Sequence, residues 1–302
     1  MTPCARTGYG RPSGFTLVEA VMVIVMTGII AAIVAVFIRS PVDSYLDAQR
    51  RSDLTDAADV MLRRLAREVR LALPNSLRVD TATSPTFSYV EFILATAGGR
   101  YRDASDGSTG GNLLDFTDNT RLEFDVLGPM PGNPALAPGD FVVVYNLGPG
   151  YAPADAYTGG NRAQVSCVGA ACGPPLPANT VRLASNPFAT ASPPLPSPGS
   201  RFQVVPGSIR AVTYECPRTG VAPGTMTRYW NYNAGGFNAS ISTPPAGGSS
   251  AIALANVTCE IGYTASVSQR NGLLYVKLTL SDGTSSGESI TVFQQIHVDN
   301  SP

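Results

Sequence analysis

Three patterns of apolar and polar positions follow one another along the chain. From Phe15 to Ile38 the text FTLVEAVMVIVMTGIIAAIVAVFI is apolar apart from Thr16, Thr27, Gly28 and one charge, Glu19. At about 1.5 Å of rise per helical residue such a run reaches across the ~30 Å hydrocarbon core of a bilayer. From Ser44 to Leu73 the apolar positions are Leu54, Ala58, Met61, Leu65, Val69 and Ala72, with Leu62 and Leu73 widening the stripe. Spacing of three and four predicts an amphipathic helix. Asp47 with Arg51, Asp59 with Arg63, and Arg64 with Glu68 in the reverse order are charge pairs four apart on what reads as its wet face. Pro41 removes one backbone bond and predicts a kink. Leu73-Pro74-Asn75 predicts the end, because the residue before proline disfavours helical torsions. Phe15 to Leu73 thus reads as one helix of roughly 85 to 90 Å.

Beyond Pro74 the period shortens to two, and β-branched runs alternate with Gly, Pro, Asn and Asp clusters. Strands are expected at Phe87 to Leu94, Arg121 to Leu127, Phe141 to Asn146, Phe202 to Val205, Ile209 to Glu215, Met226 to Trp230, Val257 to Tyr263, Leu273 to Leu280 and Ser289 to Val298. In the eighth of these, Leu274, Val276, Leu278 and Leu280 share one face, while Tyr275, Lys277 and Thr279 take the other. Ala97 to Gly111, Gly128 to Gly139, Gly148 to Gly160, Ala189 to Ser200 and Thr243 to Ser250 read as surface loops. The fold class is α+β, a long amino-terminal helix packed on a β-rich globular domain. Four segments follow: a leader at 1–14, a transmembrane half-helix at 15–40, an amphipathic half-helix at 41–73 and a β-rich domain at 74–302.

Composition sharpens this division. Charged residues make up 14% of the chain, against ~25% in an ordinary soluble domain. A net charge of -1 leaves no basic footprint for nucleic acid. Residues 39 to 73 hold seven Arg and six acids, a balance that argues for a solvated face over an anionic-lipid anchor. The length is ample for a hydrophobic core, so neither a metal nor a disulfide is needed merely to hold the fold.

The fourteen residues ahead of the apolar run contain Arg6 and Arg11 and no acid. The positive-inside bias keeps them cytoplasmic and exports the rest. A secretory signal is cut after its apolar core, whereas here Gly14-Phe15-Thr16-Leu17-Val18-Glu19 lies between leader and core. These residues resemble the processing signal of type IV prepilins and pseudopilins. The resemblance implies cleavage between Gly14 and Phe15 by a membrane prepilin peptidase, methylation of the new Phe15 amine, and a place in the inner membrane with the carboxyl-terminal domain periplasmic. Glu19 also stands out physically, because a carboxylate within a membrane span is costly and marks a functional site. The family implies that it pairs with the terminal amine of a neighbouring subunit and so sets axial register during assembly. Headgroup contact and a generic membrane anchor with an amphipathic stalk are the plainer alternatives. Gly28, a helix weakener by ~1 kcal/mol, is read as a packing position.

Cys4 leaves with the leader, and Cys167, Cys172, Cys216 and Cys259 remain in an exported domain where disulfides form. Of three connectivities, Cys167–Cys172 closes a tight loop, and Cys216–Cys259 ties two predicted strands that are expected to lie side by side. A four-thiolate zinc site lacks the paired C-x-x-C spacing it wants, so no metal is expected. Asp103, Asp106 and Asp115 lack the acid spacing of an EF-hand loop and read as solvated loop. No cofactor and no catalytic constellation is indicated. His297 is the only histidine and sits in an alternating terminal strand; a nucleophile elbow, a P-loop and a His-Glu metal helix are all missing from the text. Tyr229, Trp230 and Tyr232 read as core aromatics before they read as a binding patch.

Beyond the signal, AAIVAVFIRSPVDSYLDAQRRSDLTDAADVMLRRLAREVRLALPNSLRV, ATAGGRYR, FDVLGP, VVVYNLGPG, ADAYTGGNRA and the ending QIHVDNSP resemble the minor pilin-like proteins of the mannose-sensitive haemagglutinin (MSHA) type IV pilus system. This implies an accessory, non-enzymatic subunit acting in pilus assembly or priming, or at the tip with a role in adhesion. Its implied partners are other major and minor pilins through the amino-terminal helix, prepilin peptidase, and an inner-membrane platform with its ATPase. Membrane lipid surrounds it before assembly. A larger minor pseudopilin of type II secretion and a pilus-tip adhesin are the alternatives.

Overall fold

The computed structural model describes residues 14–104, 110–232, 237, 241, 247–265, 271–283 and 287–302. The chain divides into two units, one up to Asp53 and the other Leu54–Pro302. One helix, α1 (Leu17–Arg70), begins in the first unit and ends in the second, and Pro41 lies inside it. It stops three residues short of Leu73, because Ala72 already forms a bridge with Leu94 and the Leu73 amide donates to Ile93 O at 2.7 Å. Sheet hydrogen bonding takes over there before the proline is reached.

In the second unit the expected stripe is buried. Ala58, Met61, Leu62, Leu65, Ala66 and Val69 form a core with Leu54 and Ala72 at its margin. Their partners come from one of two groups into which the thirteen strands among the described residues fall. In chain order these are β1 (Arg78–Asp80), β2 (Phe87–Ile93), β3 (Ala97–Tyr101), β4 (Glu123–Leu127), β5 (Phe141–Val143), β6 (Arg162–Val168) and β7 (Thr180–Leu183). They continue as β8 (Arg201–Val205), β9 (Ala211–Pro217), β10 (Gly224–Trp230), β11 (Ser249–Ala265), β12 (Asn271–Ser281) and β13 (Ser289–Asp299).

Seven of them make an antiparallel sheet in the order β1-β2-β9-β10-β11-β12-β13. Leu274, Val276, Leu278 and Leu280 of β12 are buried against the helix core, together with Val212, Tyr214, Val257 and Ile261. On the other face Lys277 meets Glu260 at 3.0 Å and Tyr275 stacks beside Phe293. Gly262 pairs directly with Tyr275, and a Cβ at Gly262 would come 2.2 Å from the tyrosine ring. The ring therefore lies over bare backbone there, which only glycine permits.

The remaining six strands close a barrel, β3-β4-β7-β6-β5-β8. It is inserted between two strands that are neighbours in the sheet, since β2 pairs with β9 from Phe87↔Pro217 to Ile93↔Ala211. Its interior is filled by Tyr101, Phe124, Val126, Val142, Val165, Val181, Leu183, Phe202 and Val204, with Phe124 and Phe202 edge to face at 5.6 Å. Small barrels are packed with side chains in this way.

The insertion corrects several sequence expectations. Ala97 to Tyr101 is a strand and not loop: Gly99 pairs directly with Phe202 of β8, and a Cβ there would approach the Phe202 ring to 2.7 Å, so the glycine that weakens a strand on propensity is what leaves room for that ring. Strands β1, β6 and β7 fall outside the expected set; in β6, Ala163 and Val165 are buried while Gln164 and Ser166 are exposed, and its pairing with β7 shifts register between Val165 and Cys167. The start of β11 at Ser249 overlaps the end of the loop expected at Thr243 to Ser250.

Three asparagines fasten helix end, barrel and carboxyl terminus together. Asn75 Nδ2 donates to Asn146 O at 2.9 Å and to Asn300 O at 3.1 Å. Asn146 Nδ2 donates to Pro74 O at 2.7 Å, and its Oδ1 accepts from the Ala156 amide at 2.9 Å. Asn300 Nδ2 donates to Tyr263 Oη at 2.8 Å. Leu73, Ile93, Val143, Tyr157, Val205 and Ala211 form the apolar cluster at this junction.

Candidate functional site: the exposed amino-terminal helix

Thr16 starts α1. Its Oγ1 accepts from the Glu19 amide at 3.3 Å and its carbonyl from the Ala20 amide at 3.1 Å. Thr16 is therefore the N-cap and Glu19 the third helical residue, the T-x-x-E spacing of a capping box. The T-x-x-E spacing is local and legible in the sequence, and it gives Glu19 a capping role beside the processing and pairing roles that the resemblance implies. A carboxylate in the first turn is also favoured by the positive end of the helix macrodipole. Gly14 and Phe15 precede the helix without regular secondary structure, and nothing lies within 4 Å of where a Gly14 Cβ would be. Cys4, Arg6 and Arg11 lie outside the described residues.

The helix surface beyond is apolar and uncovered. Phe15 is 73% exposed and Leu17 81%, and the side chains from Val21 to Ile38 are all exposed. The helix is long and apolar enough to cross a membrane, with a window of mean hydropathy 3.0 and none of that window buried. Thr27 satisfies its own hydroxyl by donating to Val23 O at 2.7 Å, so it adds no orphan polar group to a span. Glu19 lies on one stripe with Met22, Val23, Met26 and Ile30. It is the one acid in this otherwise apolar surface.

The other expected residues are placed as follows. Cys167 and Cys172 form a disulfide with Cα atoms 5.2 Å apart around a 3-10 turn at Gly169–Ala171. Cys216 and Cys259 form the second, at 5.9 Å. Their strands are not side by side, because β10 lies between β9 and β11. The bridge is possible because β10 begins only at Gly224, opposite Val257, so the chain leaving β9 reaches β11 directly: Arg218 bridges Cys259, and the Thr219 amide donates to Cys259 O at 3.1 Å. His297 is exposed on the edge strand β13 opposite Leu273. Tyr232 is buried, and Tyr229 and Trp230 are half-buried. Asp115 Oδ1 accepts from the Thr117 amide and hydroxyl, both at 2.8 Å, and from the Asp118 amide at 2.9 Å. The Thr117 hydroxyl bond, together with these amides, holds its pKa below the usual carboxylate range. Asp103 accepts from Ser200 Oγ at 2.7 Å. Asp106 lies outside the described residues. Among the described residues no three metal-binding side chains gather.

Two buried carboxylate clusters were not anticipated. Glu68 was expected on the wet face of the helix but is buried: Oε2 accepts from Arg228 Nε at 3.0 Å and Tyr214 Oη at 2.9 Å, and Oε1 lies 3.4 Å from Arg64 Nε. It ties α1 to β9 and β10. Glu91 on β2 is fully buried. Its Oε1 takes Arg78 through Nε at 3.0 Å and through Nη2, and its Oε2 takes Thr213 Oγ1 at 2.8 Å and Tyr232 Oη at 2.9 Å. Arg78 also lies 3.8 Å over the Tyr157 ring, and Tyr157 Oη donates to Ser76 O at 2.8 Å. Burial, and then the charges of Glu68 and Glu91 respectively, push the Tyr214 and Tyr232 phenols well above their usual value, so both stay protonated donors. Each carboxylate has its lone pairs taken up by donors from several elements. They act as clamps, and no local pattern in the sequence distinguishes them from surface acids.

The fold therefore defines a class: one long apolar amino-terminal helix leading into a β-rich α+β domain, a layout compatible with that of pilin-like proteins. No family model matches the chain, and neither a curated protein nor a solved structure does.

Proposed function

We propose that this chain is a minor, accessory subunit of a type IV pilus of the MSHA type, made as an inner-membrane prepilin. The observation that carries the reading is the GFTLVE text set directly against the start of an uncovered apolar helix. A carboxylate at the third helical residue is within reach of an amine at a processed amino terminus, its own or that of a neighbour. Once the leader is removed, helices of neighbouring subunits take the place of lipid around Phe15 to Ile38, and Glu19 gains the terminal ammonium as a counter-ion. An unpaired carboxylate in hydrocarbon is costly, so this pairing favours the one register in which every Glu19 meets an amine. The β-rich domain then faces outward. The partners in this proposal are other pilins, prepilin peptidase, an assembly platform and its ATPase.

Mass spectrometry of the membrane form tests the reading directly, with an N-methylated Phe15 terminus expected. An intact Met1, or cleavage beyond residue 38, overturns it in favour of an anchor or a secreted protein. Glu19→Ala is expected to leave membrane insertion intact while lowering incorporation into pili. Normal incorporation in a strain relying on that variant removes the pairing role.

A further inference from the structure

The two edges of the seven-stranded sheet are built differently. β1 is three residues long and carries Arg78 and Asp80, a short charged edge of the kind that resists an added strand. β13 runs from Ser289 to Asp299 in unbroken register with β12. It has no proline, and no Asp, Glu, Lys or Arg before Asp299. Phe293 at its middle is 56% exposed. Among the described residues no strand pairs with its outer side. None of the usual edge-blunting devices is present, and a row of backbone donors and acceptors stands ready for pairing.

A groove of about 440 Å³ adjoins this edge, lined by Arg63, Ala66, Arg67, Arg70, Leu71 and Gln294. Arg63 is paired with Asp59 at 2.5 Å. Arg67 and Arg70 are exposed and make no ion pair or hydrogen bond among the described residues. Gln294 Oε1 is buried without a partner. Gln294 stands on the same face of β13 as the buried Ile296 and Val298. Alternate side chains of a strand laid along β13 would therefore project over this cationic groove.

We propose that β13 is a docking edge for an extended segment of another protein, added to the sheet as a further strand, with carboxylates on its groove-facing side chains. Backbone pairing supplies the strand-addition geometry, and Arg67 and Arg70 supply the preference for acid. A second copy of this chain fits less well. The groove-side residues of its own β13 are Ile290, Val292, Gln294, Ile296 and Val298, and self-pairing would bring two arginine rows together with no acid between them. The inference uses only residues 63–71 and 289–299 and stands apart from the reading of the apolar helix.

The test uses the full-length chain in detergent with three fluorescent eleven-residue peptides. One alternates threonine and valine with glutamate, one has lysine in place of glutamate, and one carries the sequence of residues 289–299. Binding is read by anisotropy, and amide hydrogen exchange reports on residues 289–299. The glutamate peptide is expected to bind, to slow exchange along β13, and to bind at least tenfold tighter than the lysine peptide. Arg67→Glu with Arg70→Glu should reverse that preference. Thr291→Lys with Phe293→Lys, both on the exposed face, should weaken the glutamate peptide at least tenfold while leaving the circular dichroism unchanged. Absence of protection along β13, equal binding of the two charged peptides, or an insensitive arginine double variant overturns the proposal. Equal or tighter binding of the 289–299 peptide also overturns it, assigning the edge to a second copy.

Discussion

Replacing Glu91 by glutamine keeps the size of the side chain and removes only its charge, so the cost reads the electrostatic clamp and not a cavity. In the native chain Glu91 is fully buried and Arg78 is 15% exposed. The variant takes the Glu91 charge away from a nearly buried guanidinium, and removing one partner of a buried pair costs about 3–5 kcal/mol. Two features pull the figure toward the lower end. Arg78 keeps its stacking on Tyr157 at 3.8 Å, worth about 0.5–2 kcal/mol. Thr213 and Tyr232 also keep each other, their hydroxyls being 2.7 Å apart, so neither is fully orphaned. We expect Glu91→Gln to destabilise by about 3 kcal/mol. Urea unfolding of the full-length chain in detergent measures it, as a fall in midpoint at unchanged slope. The double variant Arg78→Met with Glu91→Leu removes both charges and should recover most of the loss, since a buried pair exchanged for apolar residues is often neutral. A Gln variant within 1 kcal/mol of the parent would refute the reasoning. So would a double variant as unstable as the single one.

Other outcomes follow from the same structure. Removing the Cys216–Cys259 bridge, whose partners are 43 residues apart, should cost about 4 kcal/mol in the chain-entropy account. Removing Cys167–Cys172, 5 apart, should cost about 2 kcal/mol; chemical unfolding of the two serine double variants checks the order. Burial raises the Glu215 carboxyl above its ordinary 4.5, with the Tyr229 and Tyr89 hydroxyls opposing. The folded state therefore binds that proton more tightly than the unfolded one, and ionisation at neutral pH costs stability. Glu215→Gln should be more stable than the parent at pH 7, and the advantage should vanish as pH falls below the unfolded carboxylate value of ~4.3; parallel melts at pH 7 and pH 3 decide this. Leu65→Ala, at a fully buried position facing the sheet, should lose about 2–5 kcal/mol, read by the same denaturation.

What the sequence determined by itself is what depends on local spacing. The apolar run from Phe15, the stripe from Ala58 to Val69 and the alternation from Leu274 to Leu280 each fix which face is apolar, because helix and strand periods differ and leave different marks. The T-x-x-E start of α1 is equally local. What only the tertiary structure decided involves residues that are distant in the chain. Nothing in the text between Ala97 and Val205 announces a closed barrel set between two strands that pair with each other. Its glycines read as loop until Phe202 is found beneath Gly99. Glu68 and Arg64 read as a surface pair, and Glu68 is buried only because Tyr214 and Arg228 arrive from strands roughly 150 positions away. The cysteine pairing was legible, yet the strand order was not: spacing allows Cys216 to meet Cys259 whether or not a strand intervenes. Only the late start of β10 leaves them the gap through which they join.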